Sequence, residues 1–186
     1  MSTSAKYPLI GIAGTLATGK DTVADHLASD FGYTHVSLGD IVREVAMKER
    51  GSIERPVLYE VAHQHRHSNG AGAFALLALE KPHPLVITGV RSLGEAKTIK
   101  EAGGLLLFID APIEIRYERM KSRARDAETE LTLEGFRENE QKEWYAGPHD
   151  ADFNLRDIKE MSDIVIDNAL ELQPFIKEVY TRLELT

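Results

Sequence analysis

The sequence predicts an α/β fold in which a five-stranded parallel sheet carries helices on both faces. Five short apolar runs have the length and composition of buried strands. Stretches with apolar residues at helical spacing lie between them, and glycines or prolines separate most of these segments. This alternation is typical of βαβ units, whose strands are parallel and whose crossovers are right-handed.

The five predicted strands are apolar runs bounded by turn signals. They cover residues 8–13, 34–38, 85–88, 105–109 and 164–166. The first run, PLIGIA, ends in a glycine cluster, and the third, LVIT, follows two prolines. We expect the sheet to be covered by helices on both faces, as parallel sheets built from βαβ units are.

The predicted helices show apolar residues three and four positions apart. They cover residues 20–31, 40–50, 57–66, 73–80, 93–102, 113–123, 133–144 and 172–183. Gly32, Gly51 and Gly103 follow three of them, as glycine commonly does at a helix end. Residues 125–132 are polar with no apolar period, which predicts a mobile connection.

Length and composition indicate an ordinary globular protein. The 186 residues show no internal repeat or domain boundary, so we expect a single domain over residues 1–186. With no cysteine, the chain has neither disulfides nor thiolate chemistry. Its net charge of −8 argues against nucleic-acid or anionic-membrane binding. No apolar run approaches the roughly 20 residues of a membrane span, and residues 1–7 lack a signal-peptide pattern, so we expect a cytoplasmic protein.

A glycine-rich loop joins the first predicted strand to the first predicted helix. It has the pattern G-x-x-x-x-G-K and consists of Gly14, Thr15, Leu16, Ala17, Thr18, Gly19, Lys20, Asp21 and Thr22. Such a loop turns its backbone N–H groups toward a phosphate, and the following helix adds the positive end of its dipole. We therefore predict a P-loop that binds ATP or another nucleoside triphosphate, with Lys20 near the β- and γ-phosphates.

The residue after the lysine departs from the usual P-loop pattern. Asp21 stands where serine or threonine normally binds Mg²⁺. A carboxylate holds Mg²⁺ directly or through water, because this ion prefers oxygen ligands. We expect Mg²⁺ as a cofactor with Asp21 as a candidate ligand, while Thr22, one position later, stays an alternative contributor.

Basic residues follow the second and third predicted strands, where ligands of open α/β sheets bind. The segment from Leu38 to Arg43 contains Asp40 and opens a helix. Arg91 lies just after the third strand beside Gly89. Guanidinium groups suit phosphate recognition, so these positions are candidates for binding an acceptor substrate.

Further arginines surround the polar segment at 125–132, namely Arg116, Arg119, Arg123 and Arg125. Arg119 and Arg123 are four residues apart and share one helix face. We predict a small lid, about residues 119–147, that closes over phosphates and excludes water. A solvated helix in which glutamates pair with these arginines is the alternative.

Three histidines lie in the predicted helix at 57–66 and just beyond it. His63 and His67 share one helix face, with His65 between them in sequence, but the spacing reveals no third metal ligand. The sequence therefore favours a surface or substrate-facing helix over a metal site.

Together these motifs resemble those of the adenylate-kinase-like nucleoside monophosphate kinases, over about residues 8–168. The shared order is the P-loop, then G-D-x-x-R, then G-x-R, then an R-x-x-x-R pair before a lid. Similar stretches occur in an adenylate-kinase-related family labelled dephospho-CoA-kinase-like, and the runs at 19–25 and 90–96 look like deoxynucleoside monophosphate kinases. The resemblance implies a P-loop three-layer sandwich and an acceptor-binding helical region at about 39–81.

The resemblance also implies roles for individual residues. Arg91 would hold the acceptor phosphate, Asp40 and Arg43 would lie near the acceptor nucleotide, and Arg119 and Arg123 would close onto the donor. Two departures concern the lid and the metal. Asn139 and Lys142 stand where the family has arginines, and Thr88 replaces a common aspartate.

The favoured function is phosphorylation of a nucleoside or deoxynucleoside monophosphate by ATP and Mg²⁺. A dephospho-CoA kinase is the alternative, although Asp40 and Arg43 are three residues apart, as in adenylate kinases, rather than four. A nucleotide-binding regulator or weak ATPase is a third possibility. The sequence does not determine the base or the sugar of the acceptor, the choice between ATP and GTP as donor, or the oligomeric state.

Overall fold

The computed structural model describes residues 6–122 and 132–185 of the chain. The strands found there are β1 (Leu9–Ala13), β2 (Thr34–Ser37), β3 (Leu85–Val90), β4 (Leu105–Asp110) and β5 (Ile164–Asp167). The helices found there are α1 (Lys20–Phe31), α2 (Leu38–Arg50), α3 (Arg55–Asn69), α4 (Ala73–Leu79), α5 (Leu93–Glu101), α6 (Ile113–Ser122), α7 (Leu133–Trp144), α8 (Leu155–Met161) and α9 (Leu172–Arg182).

The five strands form one sheet in the order β2-β3-β1-β4-β5. Every pairing in it is parallel. The predicted five-stranded parallel sheet is therefore confirmed. Because β1 lies at the centre, the loop that follows it opens at the middle of the carboxyl edge, where such sheets bind ligands.

Alternate residues of the strands face two separate apolar layers. On β1, Leu9 belongs to an apolar cluster with residues of α2, α4, α5 and α8, whereas Ile10 belongs to a second cluster with residues of α1 and α9. Leu106 and Leu107 of β4 divide in the same way, and all four side chains are buried. This two-sided burial explains why the strands read as continuous apolar runs rather than alternating ones.

A third, smaller apolar cluster joins the P-loop to α6 and α7. Ala17 of the loop packs with Met120 of α6 and Phe136 of α7, and all three are buried. The ring of Tyr117 meets that of Phe136 edge-on at a centroid distance of 5.9 Å. This cluster holds α7 over the phosphate loop.

The structure corrects several predicted boundaries. Leu38 was predicted to end a strand but begins α2, because the Ser37 hydroxyl accepts a bond from the Asp40 N–H at 3.3 Å and caps the helix. Helix α3 is longer at both ends than predicted, and α8 was not predicted. Within the described residues, no helix is long and apolar enough to cross a membrane.

Candidate functional site

The P-loop depends on glycine at two positions. Gly14 has φ 147°, and a Cβ there would lie 2.3 Å from the carbonyl oxygen of Ile109. Gly19 has φ 93°, and a Cβ there would lie 2.6 Å from Nδ2 of Asn168. Ala17 also has a positive φ, 63°. Side chains at these glycines would be both strained and obstructed, so the loop conformation requires them.

Lys20 begins α1, and its side chain turns back across the loop. It is 8% exposed, and its Nζ donates to the carbonyl oxygen of Thr15 at 3.1 Å. The hydroxyl of Thr18 donates to the same oxygen at 3.1 Å. The loop is thus held closed around a buried ammonium group at a helix N-terminus, an arrangement that favours an anion.

The two candidate magnesium ligands lie in the first turn of α1. Asp21 is exposed, whereas Thr22 is half-buried and lines a cavity beside Gly19. Both offer the oxygen donors that Mg²⁺ prefers, so the chemistry at this position fits the ion. Thr88, at the position of the family aspartate, is buried, and its hydroxyl lies 3.1 Å from Nε2 of His35.

Arg91 lies directly after β3 at the carboxyl edge of the sheet. Its backbone N–H donates to the Glu95 carboxylate at 2.9 Å, and its Nη1 lies 3.2 Å from the carboxylate of Glu143 on α7. The guanidinium also lies over the ring of Phe153, 5.8 Å from the centroid. Glu95 of α5 therefore holds the backbone of Arg91, and Glu143 of α7 contacts its guanidinium group.

Glu95 organises this side of the site, although the sequence did not single out its role. Its carboxylate accepts bonds from Arg91 and Ser92 and pairs with the guanidinium of Arg66 at 2.8 Å. Glu95 and Arg66 are 0% and 4% exposed. The signal was present in the sequence, because Ser92 and Glu95 form a capping box at the start of α5.

The other predicted acceptor residues differ in their surroundings. Asp40 and Arg43 form an ion pair with each other, and both are exposed. Leu38 is 1% exposed and its side chain packs in the core. A substrate would therefore contact the backbone of Leu38 at the start of α2 and not its side chain. The ion pair described for Arg43 is thus one within its own helix.

On the opposite side of the P-loop, the predicted lid arginines have distinct environments. Arg116 is buried, donates from Nε to the carbonyl of Ala111 at 2.8 Å, and pairs with Glu140 of α7. Arg119 donates from Nη2 to Oδ1 of Asn168 at 3.3 Å. Residues 123–131, which include Arg123, Arg125 and all of the predicted mobile segment except Thr132, lie outside the described residues.

Asn168 follows β5 and connects the sheet edge to the P-loop. Its Nδ2 donates to the carbonyl of Thr18 at 2.8 Å, and its backbone N–H donates to that of Asp110 at 2.7 Å. It is 5% exposed. The sequence showed this asparagine only as the end of a late apolar strand.

A cavity of about 450 Å³ opens beside Asn168 and the end of the P-loop. It is lined by residues of the loop end, of α1, α6 and α9, and of the segment after β5. These residues are Gly19, Thr22, Ile115, Arg119, Asn168, Ala169, Leu170, Glu171, Leu172 and Phe175. Its volume falls within the range of roughly 300–1,000 Å³ common for small-molecule sites. The cavity adjoins the phosphate loop on the side away from Arg91.

Comparison with known families gives a match to the AAA_18 model, described as an AAA domain, over residues 10–146. A UPF0200 protein of Thermococcus kodakarensis is 32% identical over 146 residues, covering 73% of this chain and 78% of that protein. A UPF0200/UPF0201 protein of Archaeoglobus fulgidus is 28% identical over 181 residues, which are 92% of this chain. The chain spans about half, 53%, of the length of that relative.

Solved structures share the fold at low sequence identity. A shikimate kinase of Bacteroides thetaiotaomicron has a TM-score of 0.65 at 12% identity, covering 95% of this chain and 96% of that one. A gluconokinase of Sinorhizobium meliloti has a TM-score of 0.55 at 16% identity, covering 97% and 94%. The chain therefore has a P-loop kinase-like fold, whereas its narrower resemblance to adenylate kinases stays a prediction.

Proposed function

Because this chain belongs to the AAA domain family and to the UPF0200 proteins, and folds like P-loop kinases, we propose that it transfers a phosphoryl group from a nucleoside triphosphate to a small acceptor. One observation carries the proposal. Strands β1 and β3 pair in parallel with Ala13 opposite Val90. The P-loop and Arg91 therefore begin side by side at one sheet edge, which suits two phosphate-bearing ligands meeting there.

The donor is ATP in this proposal, with its phosphates in the P-loop. Lys20 and the loop N–H groups would face the β- and γ-phosphates. The cavity beside Asn168 would take the nucleoside, because it adjoins the loop end and has space for a base and a sugar. Arg119, in contact with Asn168, would lie against the donor from the lid side.

The favoured acceptor is a nucleoside or deoxynucleoside monophosphate. Arg91 supports this choice, because it combines a guanidinium at a strand end with fixed backbone bonding to Glu95. Arg43 lies on α2, which follows the neighbouring strand β2. Both residues are partly accessible, so an anionic acceptor can reach them.

In the proposed reaction, an oxygen of the acceptor attacks the γ-phosphorus in line. The bond from that phosphorus to the bridging β–γ oxygen breaks, and ADP leaves with the electron pair. Lys20 would offset charge that develops on the transferred group, and the loop would position the phosphates. Mg²⁺ would supply further charge neutralisation, and Asp21 and Thr22 are the residues that would hold it.

A second candidate is a kinase with a hydroxyl acceptor, dephospho-CoA kinase being one case. The contact between Arg91 and Glu143 favours it, because a carboxylate beside the acceptor site could take the proton of a hydroxyl group. The shikimate kinase and gluconokinase that share the fold are named for acceptors that carry hydroxyl groups. Glu143, rather than Asp40, would then be the first candidate base.

ADP release from Mg·ATP tests these proposals when it is measured with a panel of acceptors. The panel contains all ribo- and deoxyribonucleoside monophosphates, dephospho-CoA, shikimate and gluconate, with a reaction lacking acceptor as the control. Lys20→Ala, in the same panel, shows whether any activity belongs to this site.

A strong rate with one monophosphate would support the favoured function and identify the substrate. A rate only with hydroxyl acceptors would replace it with the second candidate. Slow ADP release that no acceptor changes would favour a nucleotide-binding regulator or weak ATPase. Absence of ATP binding would overturn the proposal that the P-loop holds a donor.

A further inference from the structure

Two histidines and an aspartate form a cluster close to the Arg91 side of the proposed site, because the N–H of Asn154 in the same segment as the aspartate donates to the carbonyl of Arg91 at 2.9 Å. His63 and His67 are one turn apart on α3, and their ring centroids lie 4.2 Å apart. Asp152 belongs to the segment between α7 and α8. One ligand atom from each residue falls within 4.8 Å of the others, a grouping suited to a metal ion.

We propose that His63, His67 and Asp152 form a binding site for a divalent transition metal of the Zn²⁺ class. Two imidazoles with one carboxylate match a ligand set that proteins use for zinc, and nitrogen ligands disfavour Mg²⁺ and Ca²⁺. This site shares no residue with the P-loop or with Arg91, so its occupancy can be tested without nucleotide or acceptor.

The distances in the cluster are close to those of a coordinated ion. Bond lengths of about 2.0–2.1 Å to zinc in a tetrahedral site place neighbouring ligand atoms about 3.3 Å apart. Nε2 of His67 lies 3.6 Å from Oδ1 of Asp152, and the third ligand atom lies within 4.8 Å. The measured separation of His67 and Asp152 is therefore close to the ideal one, and the third ligand atom is near enough to join the set.

The carboxylate of Asp152 is held in place by the backbone around it. Its Oδ2 accepts a bond from the N–H of His149 at 3.1 Å, and the N–H of Asp152 donates to the carbonyl of His149 at 2.9 Å. A Cβ at Gly147 would lie 2.3 Å from the same Oδ2, so this glycine makes room for the carboxylate. Oδ1 is left facing His67. Hydrogen bonds that hold a ligand residue in this way orient it toward a metal ion.

Accessibility favours an ion that exchanges with solvent. The side chain of His67 is 39% exposed, whereas that of Asp152 is 16% exposed. Three protein ligands leave a fourth position for water or another donor. The ring of His149 lies 6.4 Å from that of His67 and is the nearest further imidazole described in contact with the cluster.

A bound ion would join two parts of the fold that border one cavity. The cavity has a volume of about 180 Å³ and adjoins the cluster; Tyr59, His63, Arg66, Ala146, Ala151, Asp152 and Phe153 line it. The ion would then link α3 on one side of this cavity to residues 146–153 on the other. We therefore expect the metal to stabilise the packing of α3 against this segment.

The test uses the full chain without nucleotide, in excess Mg²⁺ to occupy oxygen sites. Zn²⁺ binding is measured by calorimetry, and Co²⁺ in its place reports the ligand set through its visible absorption. The variants are His67→Gln and Asp152→Asn. His65→Gln is the matched control, because this histidine lies on the same helix but contacts Glu49 and Asn69 instead.

We expect the unmodified protein and the His65 variant to bind one Zn²⁺ ion with equal affinity. The His67 and Asp152 variants should bind at least about tenfold more weakly, since loss of an outer-shell contact alone costs about 10–100-fold. Zn²⁺ should also raise the thermal midpoint of the unmodified protein and the control more than that of these variants at the same Zn²⁺ concentration.

Two results would overturn the proposal. One is the absence of saturable Zn²⁺ binding by the unmodified protein. The other is equal binding by all the variants, which would place the ion elsewhere. Circular dichroism of the metal-free variants checks that weaker binding does not come from unfolding.

Discussion

The carboxylate of Glu143 lies 3.2 Å from the guanidinium of Arg91, although the two residues are 52 positions apart in sequence. The pair joins α7 to the end of β3, and both side chains are partly exposed. Glu143 thus contacts the guanidinium group that, in the proposed function, would bind an acceptor phosphate. Its replacement distinguishes the two candidate acceptor classes.

Glu143→Gln removes the charge and keeps the size of the side chain. With a monophosphate acceptor, we expect KM for the acceptor to fall several-fold and kcat to be retained, because Arg91 loses a competing anion. With a hydroxyl acceptor, kcat should fall about 10²–10⁴-fold if Glu143 is the base. Steady-state kinetics measures both, and Glu138→Gln, an exposed position on the same helix, is the control. Unchanged kinetics would exclude both roles.

Lys20→Ala should lower kcat about 10²–10³-fold, the cost of one lost stabilising donor in a transition state. The buried ammonium group adjoins the loop that would hold the phosphates. Single-turnover phosphoryl transfer measures the effect. Lys48→Ala, an exposed position on α2, should leave the rate unchanged. A near-normal rate for the Lys20 variant would remove the P-loop from the mechanism.

Asn168→Ala should weaken ATP binding and lower the free energy of unfolding by about 1–3 kcal/mol. The reason is that the substitution leaves the buried carbonyl of Thr18 without its amide donor. Equilibrium binding of ATP and urea unfolding measure the two effects. Asn69→Ala, at an exposed position, should change neither. Normal ATP affinity in the Asn168 variant would count against a donor role for the adjoining cavity.

Arg66→Met should lower the free energy of unfolding by about 3–5 kcal/mol, because it leaves the buried charge of Glu95 unpaired. A second substitution, Glu95→Gln, should recover part of this loss. Denaturant unfolding of the single and double variants measures the coupling. Arg137→Met removes an exposed pair with Glu114 and should cost only about 0–1 kcal/mol. A similarly small cost for Arg66→Met would show that the buried pair does not stabilise the fold.

Stability should also depend on Asp163, which joins the start of β4 to β5. Burial acts to raise the pKa of Asp163, but the N–H of Leu106 and the ammonium of Lys100 lower it below the ordinary value of 3.8. The ionised form therefore stabilises the folded state at pH values above 3.8, and this contribution disappears as pH falls through the lower folded-state pKa.

Asp163→Asn should be less stable than the unmodified protein above about pH 5, and the difference should shrink as pH falls below 3.8. Urea unfolding at a series of pH values measures it. A difference that stays constant with pH would show that the charge of Asp163 makes no contribution.

The three inner strands, β1, β3 and β4, were predictable because they are buried on both faces and therefore appear as apolar runs. The edge strands β2 and β5 are partly exposed. Helix α8 was missed because its seven residues are mostly charged, with only Leu155 and Ile158 buried. Helix α3 was predicted too short, since polar residues occupy both of its ends. Here tertiary packing, rather than local pattern, decides the structure.

For the candidate site, the sequence predicted residues but not their partners. Lys20 and Arg91 follow strands of a parallel sheet, so their shared edge was predictable. The contact of Arg91 with Glu143 depends on where α7 packs, and local spacing does not reveal that position. Similarly, Asp152 completes the histidine pair from a separate segment, so no helical spacing could identify it.

The bond between Asn168 and the P-loop has a consequence for how the protein is made. The residues it joins are 150 positions apart, so the loop is synthesised well before its partner. A nascent chain that stops short of β5 lacks both this bond and one wall of the adjoining cavity. Domains tend to fold from the N-terminus during translation. The proposed nucleotide binding should therefore be complete only after β5 and Asn168 have emerged from the ribosome.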